Sequence, residues 1–181
     1  TTRSGVADLA SENDVDALLM ARRLFNYLPL NNREKPPVRH SGDPADRIEM
    51  SLDTLVPDNP NKPYDIKELI VKTVDDGDFF EMKPSWARNV VVGFARFDGE
   101  PVGIVASQPK VLGGALDVNA ADKTARFVWL CDAFGIPLVF LHDVPGFVVG
   151  SVVEKQGIIR HGAKMLFAVS EATVPKISVV I

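Results

Sequence analysis

The sequence is short of cysteine, of positive charge, of long apolar runs and of nucleotide-binding and nucleophile signatures. A single cysteine among 181 residues excludes an internal disulfide and a multi-cysteine metal centre. Its setting, Phe127-Val128-Trp129-Leu130-Cys131, predicts a helix with a packed core thiol. A formal net charge of -4 without any basic stripe excludes a nucleic-acid binder. No apolar run approaches the roughly 20 residues needed to span a bilayer. No apolar segment of a signal peptide follows Thr1-Thr2-Arg3-Ser4-Gly5, so a cytosolic or organelle-matrix setting is expected. His40, His142 and His161 lack metal-ligand spacing, and no metal site is expected. There is no phosphate-cradling G-x-x-x-x-G-K-[ST] loop, no G-x-G-x-x-G and no nucleophile elbow.

What is present is a core-forming composition, 46% hydrophobic with a mean hydropathy of +0.06. That suits one compact domain or a piece of a larger protein. The start is polar and lacks methionine, while Ile177-Ser178-Val179-Val180-Ile181 is a strand pattern with no closing turn. Both ends are read as cuts in a longer polypeptide.

Ser11-Glu12-Asn13-Asp14 resembles a capping box, and Ala17, Met20, Ala21, Leu24 and Leu28 recur at helical spacing until Pro29. Residues 29–63 hold seven of the thirteen prolines and read as a linker or surface wrap. Three units follow: 1–28, the linker 29–63, and 64–181. In the last unit, Ile66, Leu69, Ile70, Thr73 and Val74 share a helical face closed by Gly77. Phe79–Lys83 reads as a short strand. Val90–Phe97 and Val102–Ser107 flank Asp98-Gly99, a hairpin signal. Leu116–Phe134 reads as a helix of about five turns stopped by Gly135, followed by strand Ile136–Leu141, a Pro-Gly loop, helix Glu154–Ala172 and strand Pro175–Ile181. The class is α/β, and apolar strands between helices predict parallel neighbours covered on both faces.

Two features are candidates for chemistry. The first is Asp143-Val144-Pro145-Gly146-Phe147-Val148-Val149-Gly150-Ser151. A Pro-Gly turn and a further glycine before a helix leave backbone N–H groups free near its positive end, a setting for an oxyanion or phosphate. The plainer reading is a strand-to-helix connection that needs glycine for backbone reasons. The second is Gly157-Ile158-Ile159-Arg160-His161-Gly162-Ala163-Lys164. Glycine inside a helix costs roughly 1 kcal/mol against alanine, so close packing or ligand approach must offset it. Arg160 and Lys164 share a face that reads as solvated. Gly113-Gly114 is either another N–H pocket or a plain turn.

These features and their flanks resemble the carboxyltransferase β subunit of biotin-dependent acyl-CoA carboxylases of the propionyl-CoA and methylcrotonyl-CoA type. The matching stretches run in family order: Ser4-Gly5-Val6-Ala7-Asp8, Leu28-Pro29-Leu30-Asn31-Asn32, Tyr64-Asp65-Ile66 and Gln108-Pro109. They continue through Gly114-Ala115-Leu116-Asp117, Arg126-Phe127-Val128, Cys131-Asp132-Ala133-Phe134, Asp143-Val144-Pro145-Gly146-Phe147, Gly157 to Met165, and Glu171 to Lys176. The resemblance implies a crotonase-like (ClpP/crotonase) ββα-spiral, here the end of a first domain and part of a second. It implies transfer of a carboxyl group from carboxybiotin on a partner carrier to the α-carbon of an acyl-CoA. In the family, backbone oxyanion holes steady the negative charge that develops on the biotin ureido oxygen and on the enolate. Carried over by motif, the biotin-side donors are the N–H groups of Gly150 and Ser151 after the Gly146 turn, with Gly162 and Ala163 as a second pair. Phe147, Val152 and Val153 are expected at the acyl pocket. The acyl-CoA side and most CoA contacts would lie outside this chain.

The implied partners are a biotin carboxylase/biotin carboxyl carrier subunit and further copies of the chain, dimer-built and hexameric at full length. The implied setting is bacterial cytoplasm or mitochondrial matrix. No nucleic acid or membrane is implied. A decarboxylase or transcarboxylase subunit, or a non-catalytic scaffold, remains the alternative. The chain departs from the usual Leu-Pro-Gly after Gly146-Phe147, carrying Val148-Val149-Gly150 instead.

Overall fold

The computed structural model describes residues 2–59 and 61–181; Thr1 and Pro60, the latter counted among the linker prolines, lie outside the described residues. Helix α1 (Asp14–Phe25) and α2 (Ile66–Thr73) precede strands β1 (Phe80–Met82), β2 (Val90–Phe97) and β3 (Glu100–Ser107). Then come α3 (Val118–Ala133), β4 (Leu138–His142), α4 (Ser151–Lys155), α5 (Ile158–Glu171) and β5 (Lys176–Val180). The five strands form one sheet in chain order. β3–β4–β5 pair in parallel, as expected for strands between helices, and β2–β3 is the antiparallel hairpin read at Asp98-Gly99; β1 adds to it antiparallel. The hairpin has a local cause. Asp98 and Gly99 both adopt positive φ, the two-residue turn that folds β3 straight back on β2. The Asp75 carboxylate accepts from both turn N–H groups, at 3.1 and 2.7 Å.

Alternation along the strands separates two cores. Val90, Val92, Phe94, Val105, Leu138 and Phe140 face α3 and α5 together with Phe127, Val128 and Cys131. Val91, Ala95, Val102, Ile104, Ala106 and Leu141 face α2 through Ile66, Ile70 and Val74. Cys131 is wholly buried, and burial pushes its thiol well above the ordinary range, so the core-thiol expectation holds. Gly103 lets α3 come this close: a Cβ there would stand 2.5 Å from Cys131 Sγ.

Three local readings change. Asn13, not Ser11, caps α1, its side chain accepting from Asp16 N at 3.0 Å. No residue of α1 is fully buried, so the apolar face read over Ala17–Leu24 is only partly covered; the docking residue is Tyr27 just beyond it, stacked on Phe94. The helix read as continuous from Glu154 is two, because Gly157 takes the left-handed conformation (φ 84°) and stops α4 after one turn. β5 forms one edge of the sheet, and all five of its residues are exposed.

Candidate functional site

The Pro-Gly loop leaves the C-terminal end of β4 and is stitched to the segment ahead of α3. Leu116 N donates to Gly146 O and Val148 N donates to Leu116 O, each at 2.9 Å, which makes a short parallel bridge between Leu116 and Phe147. The segment before α3 is itself fixed. Asp117 caps α3 by accepting from Ala120 N at 2.8 Å, and Asn89 donates to Ala115 O at 2.7 Å. Gly113-Gly114 forms a plain turn: Gly114 N donates to Val111 O, and a Cβ on Gly114 would stand 2.6 Å from Asp143 O. The loop's first residue is anchored by Tyr64, whose hydroxyl donates to Asp143 Oδ2 at 2.8 Å. Burial and that neighbouring carboxylate push the Tyr64 phenol well above its ordinary range, so it stays a donor.

These bonds leave a specific set of amides over. Among the described residues, the N–H groups of Val144, Gly146, Phe147, Val149, Gly150, Ser151, Val152 and Val153 have no protein acceptor. Gly150 sits at φ 143°, ψ 161°, a region essentially restricted to glycine. α4 has only five residues, so the helix end lends less field than a continuous helix would. What the loop offers is its individual unpaired amides. Gly162 and Ala163 lie in the second turn of α5, where N–H groups belong to the helical ladder.

Gly162 has a different role, one of packing. A Cβ on it would meet Phe147 Cε1 at 3.1 Å, so the missing side chain is what allows the Phe147 ring onto α5. The ring, Val148, Val149, Glu154, Ile158, Ile159, Gly162, Ala163 and Leu166 enclose a largely apolar cleft of about 430 Å³. The structure therefore brings Phe147, Gly162 and Ala163 together, with Gly146, Gly150 and Ser151 in the same loop and the turn that follows. Val152 and Val153 do not line this cleft; Val152 is 69% exposed on α4.

Sequence reading missed Asp122. From α3 its carboxylate takes Lys164 Nζ at 2.6 Å and lies 2.9 Å from His161 Nδ1, both on α5 beside Gly162. Burial works against the charge, but the His161 and Lys164 contacts outweigh it and hold Asp122 below the ordinary carboxylate range. Lys164 is thus paired and not a free cation; Arg160 is exposed as expected. The one available signal was that Asp122 and Lys164 both project from helical faces that must meet. Tyr64 and Asp143 each lie in a stretch that matches the family, but nothing in the sequence pairs them across 79 positions. Among the described residues no group of three or more His, Cys, Asp or Glu side chains is placed to hold a metal.

The sequence model of the carboxyl transferase domain matches residues 1–181. The chain belongs to the carboxyl transferase domain family. Similar members include the propionyl-CoA carboxylase beta chain of Roseobacter denitrificans, 59% identical over 99% of this chain and 35% of that protein. The human mitochondrial propionyl-CoA carboxylase beta chain is 54% identical over 99% of this chain and 33% of its own length. The methylmalonyl-CoA decarboxylase subunit alpha of Veillonella parvula is also 54% identical, over 98% of this chain and 35% of its own length. The crystal structure of transcarboxylase 12S, a hexamer described with hydrolysed methylmalonyl-coenzyme A bound, superposes with a TM-score of 0.95 at 49% identity, covering 99% of this chain and 35% of that one. The resemblance drawn from the motifs is borne out, and the mixed sheet is the crotonase-like fold of these carboxyl transferase structures. The chain spans about a third of the length of the curated relatives it matches. No helix among the described residues is long and apolar enough to cross a membrane.

Proposed function

We propose that this chain is the part of a carboxyltransferase subunit that receives carboxybiotin and steadies the charge formed when its carboxyl group passes to the α-carbon of an acyl-CoA, propionyl-CoA or a related short or branched one. The observation that carries the reading is the set of unused amides that includes Gly146, Phe147, Gly150 and Ser151, held beside an apolar cleft that contains no side-chain acid or base other than Glu154. Carboxybiotin, on a partner carrier domain, supplies an activated carboxyl group whose departure leaves charge on a ureido oxygen. An apolar floor bordered by a loop with unused N–H donors suits such a group. Preorganised amide donors in a water-poor cleft stabilise developing negative charge without reorganising, and removing one donor raises a barrier by about 3–4 kcal/mol. In this reading Gly150 and Ser151 donate, Phe147 and Gly162 shape the wall, and Tyr64 and Asp143 hold the loop in place. Gly162 and Ala163 act through packing in place of donating.

The whole protein is proposed to work as a homo-oligomer of dimers with a biotin carboxylase/biotin carboxyl carrier partner, in bacterial cytoplasm or the mitochondrial matrix. The division at 28/29 and 63/64, with the acyl-CoA-side donors outside this chain, belongs to the same proposal. The Veillonella relative, as similar as several carboxylase chains, supports a second reading in which the same amides serve decarboxylation. One experiment tests both. The full-length protein is assayed in both directions, carboxybiotin with propionyl-CoA and free biotin with methylmalonyl-CoA, beside Ser151→Pro, which removes one N–H at a first helical position whose φ proline accepts. Loss of transfer by about 100-fold or more in the variant with an intact fold supports the amide reading. A Ser151→Pro protein that transfers at the parent's rate refutes it, and the direction that turns over fastest separates carboxylase from decarboxylase.

A further inference from the structure

At the opposite end of the sheet from the Pro-Gly loop, the chain builds a cationic cavity. β3 and β4 are parallel with Ala106 opposite Leu141, so the loop after β4 lies near Ser107, whereas Arg96 lies beside the β2–β3 turn. Arg96 is 6% exposed although it carries a full charge. Its Nη2 donates to Asn26 O at 2.5 Å and its guanidinium carbon lies 4.3 Å above the Tyr27 ring. Its Nε is buried with no acceptor. Arginine presents five N–H donors, and a buried charged group is ordinarily paired or bound to an ion.

Around it, Asn26, Lys35, Arg39 and Arg96 line a cavity of about 610 Å³ together with Phe25, Leu28 and neighbouring linker residues. Among the described residues none of Lys35, Arg39 and Arg96 has a carboxylate within ion-pair distance. Glu34 is the sole acid on the cavity wall. The cavity is held at both ends of the segment that forms it. Arg96 grips Asn26, and Arg39 N donates to Gly99 O at 3.0 Å where the linker crosses the hairpin turn. Three cations against one carboxylate, in a chain of net charge -4, is a local reversal of sign.

We propose that Arg96, Lys35 and Arg39 form an anion site for a phosphate group, separate from the carboxyl-transfer cleft. Because Arg96 already gives Nη2 to Asn26 O, an anion here also needs the point charges of Lys35 and Arg39, which a doubly charged phosphate matches better than a carboxylate monoanion. The site does not depend on the proposed transfer reaction.

The test uses inorganic phosphate and full-length protein in phosphate- and sulfate-free buffer at constant ionic strength, reading binding by calorimetry with acetate as the carboxylate control. Because Arg96 also holds Asn26 and Tyr27, the exposed pair is varied: Lys35→Ala/Arg39→Ala. The expected result is saturable phosphate binding, acetate binding at least tenfold weaker, and at least tenfold loss of phosphate affinity in the double variant with unchanged carboxyl transfer. No saturable phosphate binding, equal acetate binding, or a double variant that binds as the parent does would overturn the site.

Discussion

Replacing Gly162 with alanine separates the packing role of this glycine from the stability of its helix. A Cβ there would stand 3.1 and 3.2 Å from Cε1 and Cζ of Phe147. Comfortable carbon contacts begin at about 3.5 Å, so the ring must withdraw by roughly 0.3–0.5 Å. The helix itself gains, because alanine is favoured over glycine by about 1 kcal/mol at an interior position. The strain of moving a ring that is partly exposed offsets that gain. Net stability is therefore expected within about 1 kcal/mol of the parent, a shift in Tm of no more than ~2–4 °C for a domain of this size. Function responds differently. A misplacement of about 1 Å costs on the order of 100-fold in rate, so a displacement near 0.4 Å is worth about five- to tenfold in kcat. Carboxyl transfer by the full-length protein, measured beside thermal unfolding, gives both numbers. Parent-like kcat would refute the claim that Phe147 forms the wall of the transfer cleft. A fall in Tm above about 8 °C would show that Gly162 is there for stability alone.

Tyr64→Phe removes the hydroxyl that anchors Asp143; one hydrogen bond of stability, about 1–2 kcal/mol, should be lost together with several-fold in kcat, and an unchanged kcat would show that the loop is positioned without it. Asp122 is held below its ordinary pKa of 3.8, so the unfolded chain takes up the proton first as pH falls. Its contribution is present above about pH 4 and lost below it. Asp122→Asn should therefore narrow its stability deficit against the parent as acid is added, and a deficit constant from pH 7 to pH 3 in denaturant titrations would contradict the ion pair's role. Gly103→Ala forces a methyl to within 2.5 Å of Cys131 Sγ and should cost about 1–3 kcal/mol of overpacking. Adding Cys131→Ala should recover part of that loss, and strictly additive effects in the double variant would mean the two positions do not share the contact.

Much of the fold was legible because its signals are local. The Asp98-Gly99 dipeptide fixes the hairpin through positive φ at both residues, and the apolar runs of β2, β3 and β4 mark strands covered on both faces. The helix read from Leu116 starts at Val118, because Asp117 takes the cap position and accepts from Ala120 N. Errors arose where two local preferences competed. Asn13 displaced Ser11 as a cap because its side chain reaches Asp16 N, and Gly157 broke a helix that the apolar periodicity alone would have continued.

By itself the sequence determined the family and the α/β class and singled out the loop proposed for chemistry, since motifs, turns and periodicity depend on residues near one another in the chain. Only the tertiary structure decided which amides stay free, because that depends on Leu116 taking Gly146 and Val148 and leaving the others. It also decided that Gly162 accommodates Phe147, that Asp122 joins α3 to α5, and that Tyr64 holds Asp143. Those pairings join residues 15 to 79 positions apart, and no spacing rule reaches across a distance that the folded sheet closes to a bond length.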